Sequence, residues 1–169
     1  MKYYILTISL CFGIKFMSKA QGNSIIDTTC QFSIVHLPDY YKEKGVIFSK
    51  NYIVGIEMQN MQSRYTPTKD DIAKAETILN DTYNKVQNTN IDIKTFFCHW
   101  VRQYIGLIDN NGNKNIIVQL IDNTKPGRIN RLLGKGWETV FIVMLSDNFY
   151  AVSRRFKINI DTGEISSLL

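Results

Sequence analysis

The amino-acid sequence predicts an α+β domain in which one long amphipathic helix lies across a curved antiparallel sheet of about four strands. Three observations carry this reading. A capped apolar stripe runs at helical spacing from Thr68 to Val86, an Asn-Gly pair at residues 111 and 112 joins two apolar runs, and polar and apolar residues alternate from Tyr150 to Asp161.

Residues 1–20 read as a leader and not as part of that domain. Lys2 precedes an apolar run from Tyr3 to Ile14 that is shorter than the roughly 20 residues a spanning helix needs, and the segment closes on Ser18-Lys19-Ala20, small residues where a signal peptidase cuts. A lipoprotein signal would use Cys11, but the bulky Leu10 precedes it, so plain secretion or periplasmic residence is the expectation. Removing Lys2, Lys15 and Lys19 takes the net charge from +5 to +2, and no run of three basic residues remains. Nucleic acid is therefore excluded as a partner. No transmembrane segment is expected after the signal.

Residues 21–64 are expected to pack on the domain as an N-terminal segment. Val46 to Phe48 and Tyr52 to Ile56 flank the polar Ser49-Lys50-Asn51, as a strand hairpin or an irregular layer. Tyr40, Tyr41 and Tyr52 suit a half-buried sheet edge better than a binding platform.

The domain proper spans residues 65–169. Thr68 and Asp71 form the capping-box pattern, Pro67 keeps the helix from starting earlier, and Ile72, Ala75, Leu79, Tyr83 and Val86 recur at intervals of three and four. Asn88-Thr89-Asn90 ends it. "WVRQYIGLID" and "KNIIVQLID" then form a hairpin across Asn110-Asn111-Gly112-Asn113. "WETVFIVMLSD" and "FYAVSRRFKINID" read as two further strands joined at Asp147-Asn148. In the last of them Tyr150, Val152, Arg154, Phe156, Ile158 and Ile160 face the helix, and Ala151, Ser153, Arg155, Lys157, Asn159 and Asp161 face water. Asp161-Thr162-Gly163 turns into a short terminal segment. The stretch between the hairpins, "DNTKPGRINRLLGKGWE", reads as a solvated connection with local positive charge from Lys125, Arg128, Arg131 and Lys135.

Candidate chemistry is sparse. On a strand, Cys98 and His99 point to opposite faces, so adjacency does not make them a nucleophile and its base. Cys30, His36, Cys98 and His99 lack the close-spaced pairs of a zinc site, Gly134-Lys135-Gly136 lacks the rest of a phosphate loop, and "DNNGNKN" lacks the terminal glutamate of a calcium loop. No metal, cofactor or catalytic residue is assigned. Cys30 and Cys98 could form a disulfide in an oxidising compartment or remain two free thiols. Candidate contacts for a ligand or partner are His99, Arg102, Tyr104 and Arg154. Arg102 reads either as a strand cation under the aromatic cover of Trp100 and Tyr104 or as a carboxylate clamp.

A leader ending before Gln21, "RYTPTKDDIAKAE" opening the helix and "VRQYIGLIDNNGNKNIIVQLI" as first hairpin resemble a group of small uncharacterised secreted proteins of Bacteroidetes. The likeness covers roughly residues 65–165, and its motifs are structural. It implies a secreted α+β domain and carries no activity. The helix-on-meander outline is shared by cystatin-like and NTF2-like folds. The functional expectation is a non-enzymatic secreted or periplasmic binding module for an unknown protein or small ligand. The alternative is an NTF2-like carrier or enzyme with a pocket between helix and sheet.

Overall fold

The structure, a computed structural model, describes residues 31–38, 41–55, 60–143 and 147–168. The expected signal segment, Cys30, Tyr40 and Ile56 lie outside the described residues. Seven strands are described: β1 (Phe32–Val35), β2 (Gly45–Phe48), β3 (Met61–Tyr65), β4 (Trp100–Asp109), β5 (Lys114–Asp122), β6 (Ser153–Asn159) and β7 (Ile165–Ser167). The described helices are α1 (Lys69–Gln87), α2 (Ile93–Phe96), α3 (Arg128–Leu133) and α4 (Asp147–Tyr150), with a 3-10 turn at Trp137–Thr139.

The class is α+β, and the sheet is open and mixed, with strand order β1-β2-β4-β5-β6-β7. It has seven strands and not about four, because the segment before the helix supplies three of them. Long β4 makes room for two: residues Arg102 to Ile105 pair in parallel with β2, and residues Gly106 to Asp109 pair antiparallel with β3 on the same edge. The parallel β2–β4 pair is reached through β3 and the helix, a crossover long enough for parallel strands. The sheet is therefore not a purely antiparallel meander.

Local chemistry explains α1. The Thr68 hydroxyl accepts from the Asp71 backbone N–H at 3.1 Å, and the Asp71 carboxylate accepts from the Thr68 backbone N–H at 2.9 Å, the full capping box. Asn88 closes the other end with φ of 50°, a left-handed cap that asparagine tolerates. Ile72, Ala75, Leu79 and Tyr83 are buried, whereas Val86 is exposed, so the packed face ends one turn before the stripe does.

The β4–β5 hairpin forms where the Asn-Gly pair predicted it. Its turn is longer than two residues, with Asp109 N–H donating to the Asn113 carbonyl and only Gly112 taking positive φ, at 85°. The Asp109 carboxylate accepts from the N–H groups of Asn111 and Asn113, which favours the wider loop.

Both faces of the sheet are covered. On one, Tyr104, Ile116, Val118, Leu120, Phe156 and Ile158 pack against α1. On the other, Val101, Ile105, Leu107, Ile117 and Ile121 pack against Ile129, Trp137, Phe141 and Phe149. Three expectations change as a result. The stretch "DNTKPGRINRLLGKGWE" is not only a solvated connection, since it folds into α3 and buries Ile129 and Trp137. "WETVFIVMLSD" supplies no described strand; Trp137–Thr139 is helical and residues 140–143 cross the sheet face as an irregular strap. The face of β6 expected to be wet buries Ser153, Arg155 and Asn159. For Ser153 and Arg155 the cause is the same as for the first two: residues 128–143 and 147–150 lie over that face, whereas Asn159 is covered by the turn at Asp161 and Thr162, whose N–H groups donate to its side chain. The terminal turn at Gly163 leads, as expected, to a short element, β7, paired with β6.

Candidate functional site

Polar side chains are buried in two clusters, one on each face of β4. The first lies under α1. Glu76 occupies the helix stripe between Ile72 and Leu79, with its side chain buried. Its carboxylate accepts from Arg102 Nε at 3.1 and 3.3 Å and from the Tyr104 hydroxyl at 2.7 Å. Arg102 Nη1 donates to the carbonyls of Trp100, at 2.6 Å, and Phe97, at 3.3 Å. The guanidinium carbon sits 3.5 Å from the centre of the Tyr41 ring, while Nη2 is buried without a hydrogen-bond acceptor.

Burial works against the charge on Arg102, but Glu76, with Tyr104 and Tyr41, more than offsets it and holds the guanidinium above its usual range. Burial, then the neighbouring Glu76 carboxylate, pushes the Tyr104 phenol well above its usual range. The phenol therefore stays a donor. A carboxylate taken out of water needs such partners, and here it has three bonds from two side chains.

The second cluster lies under the strap. Gln103, Gln119 and Arg155 stand directly opposite one another on β4, β5 and β6. Gln103 Nε2 donates to the carbonyls of Val140, at 2.8 Å, and Trp137, at 3.2 Å; its Oε1 accepts from the Ile142 N–H at 3.3 Å. Gln119 Nε2 donates to the Ile142 carbonyl at 3.0 Å and to Gln103 Oε1 at 3.1 Å. Arg155 Nε and Nη2 donate to Gln119 Oε1, and Nη2 also reaches the Ile142 carbonyl at 2.9 Å. The Tyr52 hydroxyl accepts from the Phe141 N–H at 2.9 Å. Burial lowers the pKa of Arg155, whose hydrogen bonds go to neutral oxygens. Side chains thus do for the strap what a neighbouring strand's backbone does in a ladder.

Of the expected contact residues, Arg102 and Tyr104 come together, but as core: both are fully buried and are not surface contacts. Arg102 does clamp a carboxylate, that of Glu76, but the aromatic ring it lies on is Tyr41 and not the expected Trp100 or Tyr104. His99 is exposed on the turn before β4. Arg154 is half-buried at the start of β6, with Nη1 donating to the Ser153 carbonyl at 2.7 Å. Neither joins the pair.

The disulfide expectation rests on Cys30, outside the described residues. Cys98 carries a free, half-buried thiol. Its carbonyl accepts from the Lys42 N–H before β2, whereas the carbonyl of Gln31, the described neighbour of Cys30, accepts from Ser49 N–H beyond it. Among the described residues no group of three or more His, Cys, Asp or Glu side chains could hold a metal, and no helix is long and apolar enough to cross a membrane.

Sequence reasoning missed Glu76 and the Gln103–Gln119–Arg155 row, although signals for both exist. Glu76 lies four residues after Ile72 and three before Leu79, inside the stripe. A hairpin centred on Asn111 places Gln103 opposite Gln119.

Fold and site together define an α+β protein whose sheet is sandwiched between a helix and a strap, with a buried charged cluster on one side and a buried amide row on the other. No family model, no curated protein and no solved structure matches the chain.

Proposed function

We propose that the chain is a secreted or periplasmic binding module that works through its outer surface and takes a protein or small ligand. One observation supports this most: the middle of the interface between α1 and the sheet, where a carrier or enzyme of NTF2-like outline would keep its pocket, is packed with side chains. Ala75, Leu79, Tyr104, Val118, Leu120 and Phe156 are fully buried there. The antiparallel run β4-β5-β6 under one long helix supports a cystatin-like outline, and the short signal-like stretch before Gln21 supports export. The proposed kinship is with small secreted Bacteroidetes proteins of similar capped helix and hairpin.

The test is reconstitution. An envelope component captured by the folded chain is purified and titrated back by calorimetry, and saturable binding lost on substitution of exposed residues, with the unfolding midpoint unchanged, supports the module. A second reading has two hollows behind it: one of about 730 Å3 between Thr82 and Lys85 of α1 and Asn115, Lys157 and Glu164 at the end of the sheet, within the roughly 300–1,000 Å3 of usual ligand sites, and one of about 260 Å3 between Leu37, Ile72 and Glu76. A small molecule that co-purifies with the chain, seen by native mass spectrometry and displaced by enlarging Ala73, would reverse the preference.

A further inference from the structure

The strap, with the turn at Trp137–Thr139 that leads into it, is held to the sheet by side chains. Five of its backbone groups, the carbonyls of Trp137, Val140 and Ile142 and the N–H groups of Phe141 and Ile142, are bonded by side chains of Gln103, Gln119, Arg155 and Tyr52. Trp137 and Phe141, four positions apart, fill apolar sockets beside Val101, Ile105 and Ile121. The segment is one 3-10 turn, Trp137–Thr139, followed by an irregular stretch, residues 140–143, and it is held as a peptide ligand is: backbone by polar groups, and side chains by sockets.

Three features mark the strap as an exchangeable occupant. It forms no ladder in the sheet. Gly134 and Gly136 precede it with φ of 82° each, a conformation that costs glycine little and lets the chain pivot. Val140 is 49 % exposed, so the strap is a single layer with solvent above it. Beneath it, Arg155 is buried, bonded only to neutral oxygens and in none of the described ion pairs. A buried guanidinium in that state prefers a carboxylate, whose charge-assisted bonds are stronger than those to an amide carbonyl.

We propose that this groove binds the free carboxy-terminal end of an apolar peptide that repeats the path of the segment, a single turn followed by an irregular stretch, with two large apolar residues four apart in the Trp137 and Phe141 sockets and its terminal carboxylate on Arg155. The strap occupies the groove in cis and must be displaced. The inference rests on the binding-module reading and names the class of partner.

The probe is a fluorescein-labelled peptide of sequence Trp-Glu-Thr-Val-Phe-Ile with a free carboxylate, titrated by anisotropy into the full folded chain and into its Trp137→Ala/Phe141→Ala variant. The variant binds at least about tenfold more tightly than the wild type, since its own strap competes poorly; the amidated peptide binds about tenfold more weakly, and Arg155→Met removes that difference. Absence of saturable binding to the folded variant, or equal affinity for the amidated peptide, overturns the proposal. If the variant does not fold, hydrogen exchange on the wild type decides: the amides of Phe141 and Ile142 exchange about a hundredfold faster than those of Ile117 and Val118 in β5. Exchange only by global unfolding overturns the displaceable strap. Failure of these tests together with a reconstituted partner at another surface removes the groove and leaves the module standing.

Discussion

The two faces of β4 solve the same problem with different chemistry. Arg102 and Gln103 are neighbours in the chain, both fully buried, and they point to opposite sides. Under α1 the polar group is a full charge, so it is matched by an opposite charge, Glu76, delivered by a regular helix. Under the strap the polar groups are mostly neutral amides, so they are matched by backbone carbonyls and N–H groups of an irregular segment. A charged pair ties one helix position to one strand position. An amide row bonds backbone groups, which every peptide carries, while the apolar sockets of Trp137 and Phe141 beside it choose the side chains, and this is why that face can host an exchangeable segment.

The sharpest way to break the comparison is to unpair the charged face. Glu76→Leu leaves Arg102 buried without a counter-charge and should cost about 3–5 kcal/mol. Adding Arg102→Met should recover much of that. Urea unfolding measures both; a single variant no worse than a surface substitution would mean that water reaches the pair.

Tyr104→Phe removes one donor to a charged acceptor and should cost about 1.5–3 kcal/mol. Its pH dependence has a definite sign. Burial and Glu76 raise the folded pKa of this phenol, so the stability tied to it is present below the unfolded value of about 10 and is lost as pH rises above it. Burial also raises the pKa of the Tyr65 phenol, so phenolate absorbance should show one fewer tyrosine ionising only with alkaline unfolding in the variant than in the wild type.

On the strap face, Gln119→Leu takes a donor from the Ile142 carbonyl and an acceptor from Arg155, for an expected loss of about 1–3 kcal/mol. The difference between the faces predicts that this loss leaves the pH profile of unfolding unchanged. A changed acid or alkaline limb would show that Arg155 has a charged partner after all.

The smallest effect belongs to the helix start, which serves the charged face by holding α1 in register. Thr68→Ala should cost about 1 kcal/mol, read as a shift in thermal midpoint. Burial raises the pKa of Asp71, but its bonds from Thr68 and Lys114 more than offset this and hold it below the usual carboxylate range. Its contribution is thus present above about pH 4 and lost as pH falls through the folded value.

How much of this was legible depends on range. The Thr68–Asp71 cap, the stripe from Ile72 to Tyr83 and the hairpin about Gly112 are set by contacts within a few residues, and all three appear where the sequence places them. The alternation in β4 was also readable, with Trp100, Arg102 and Tyr104 on one face and Val101, Gln103 and Ile105 on the other. The strap was not. Val140 to Val143 have strand-forming side chains, yet the edges of β5 are already taken by β4 and β6, and Gln103, Gln119 and Arg155 offer the segment its hydrogen bonds on the sheet face instead. The alternation of β6 was read as one dry face and one wet, since an alternating pattern marks which side is polar and not what covers it.

The sequence by itself determined the class of the domain, the helix and its cap, the first hairpin and the side of β4 to which each residue points, because local hydrogen bonding and side-chain periodicity decide these before the chain has closed on itself. Only the tertiary structure decided that β2 joins β4 in parallel, that Glu76 meets Arg102 and Tyr104, and that residues 137–143 lie across the sheet. Each of those joins residues at least thirteen positions apart. Which of several compatible partners such a residue takes depends on the burial and hydrogen bonding of the whole assembly.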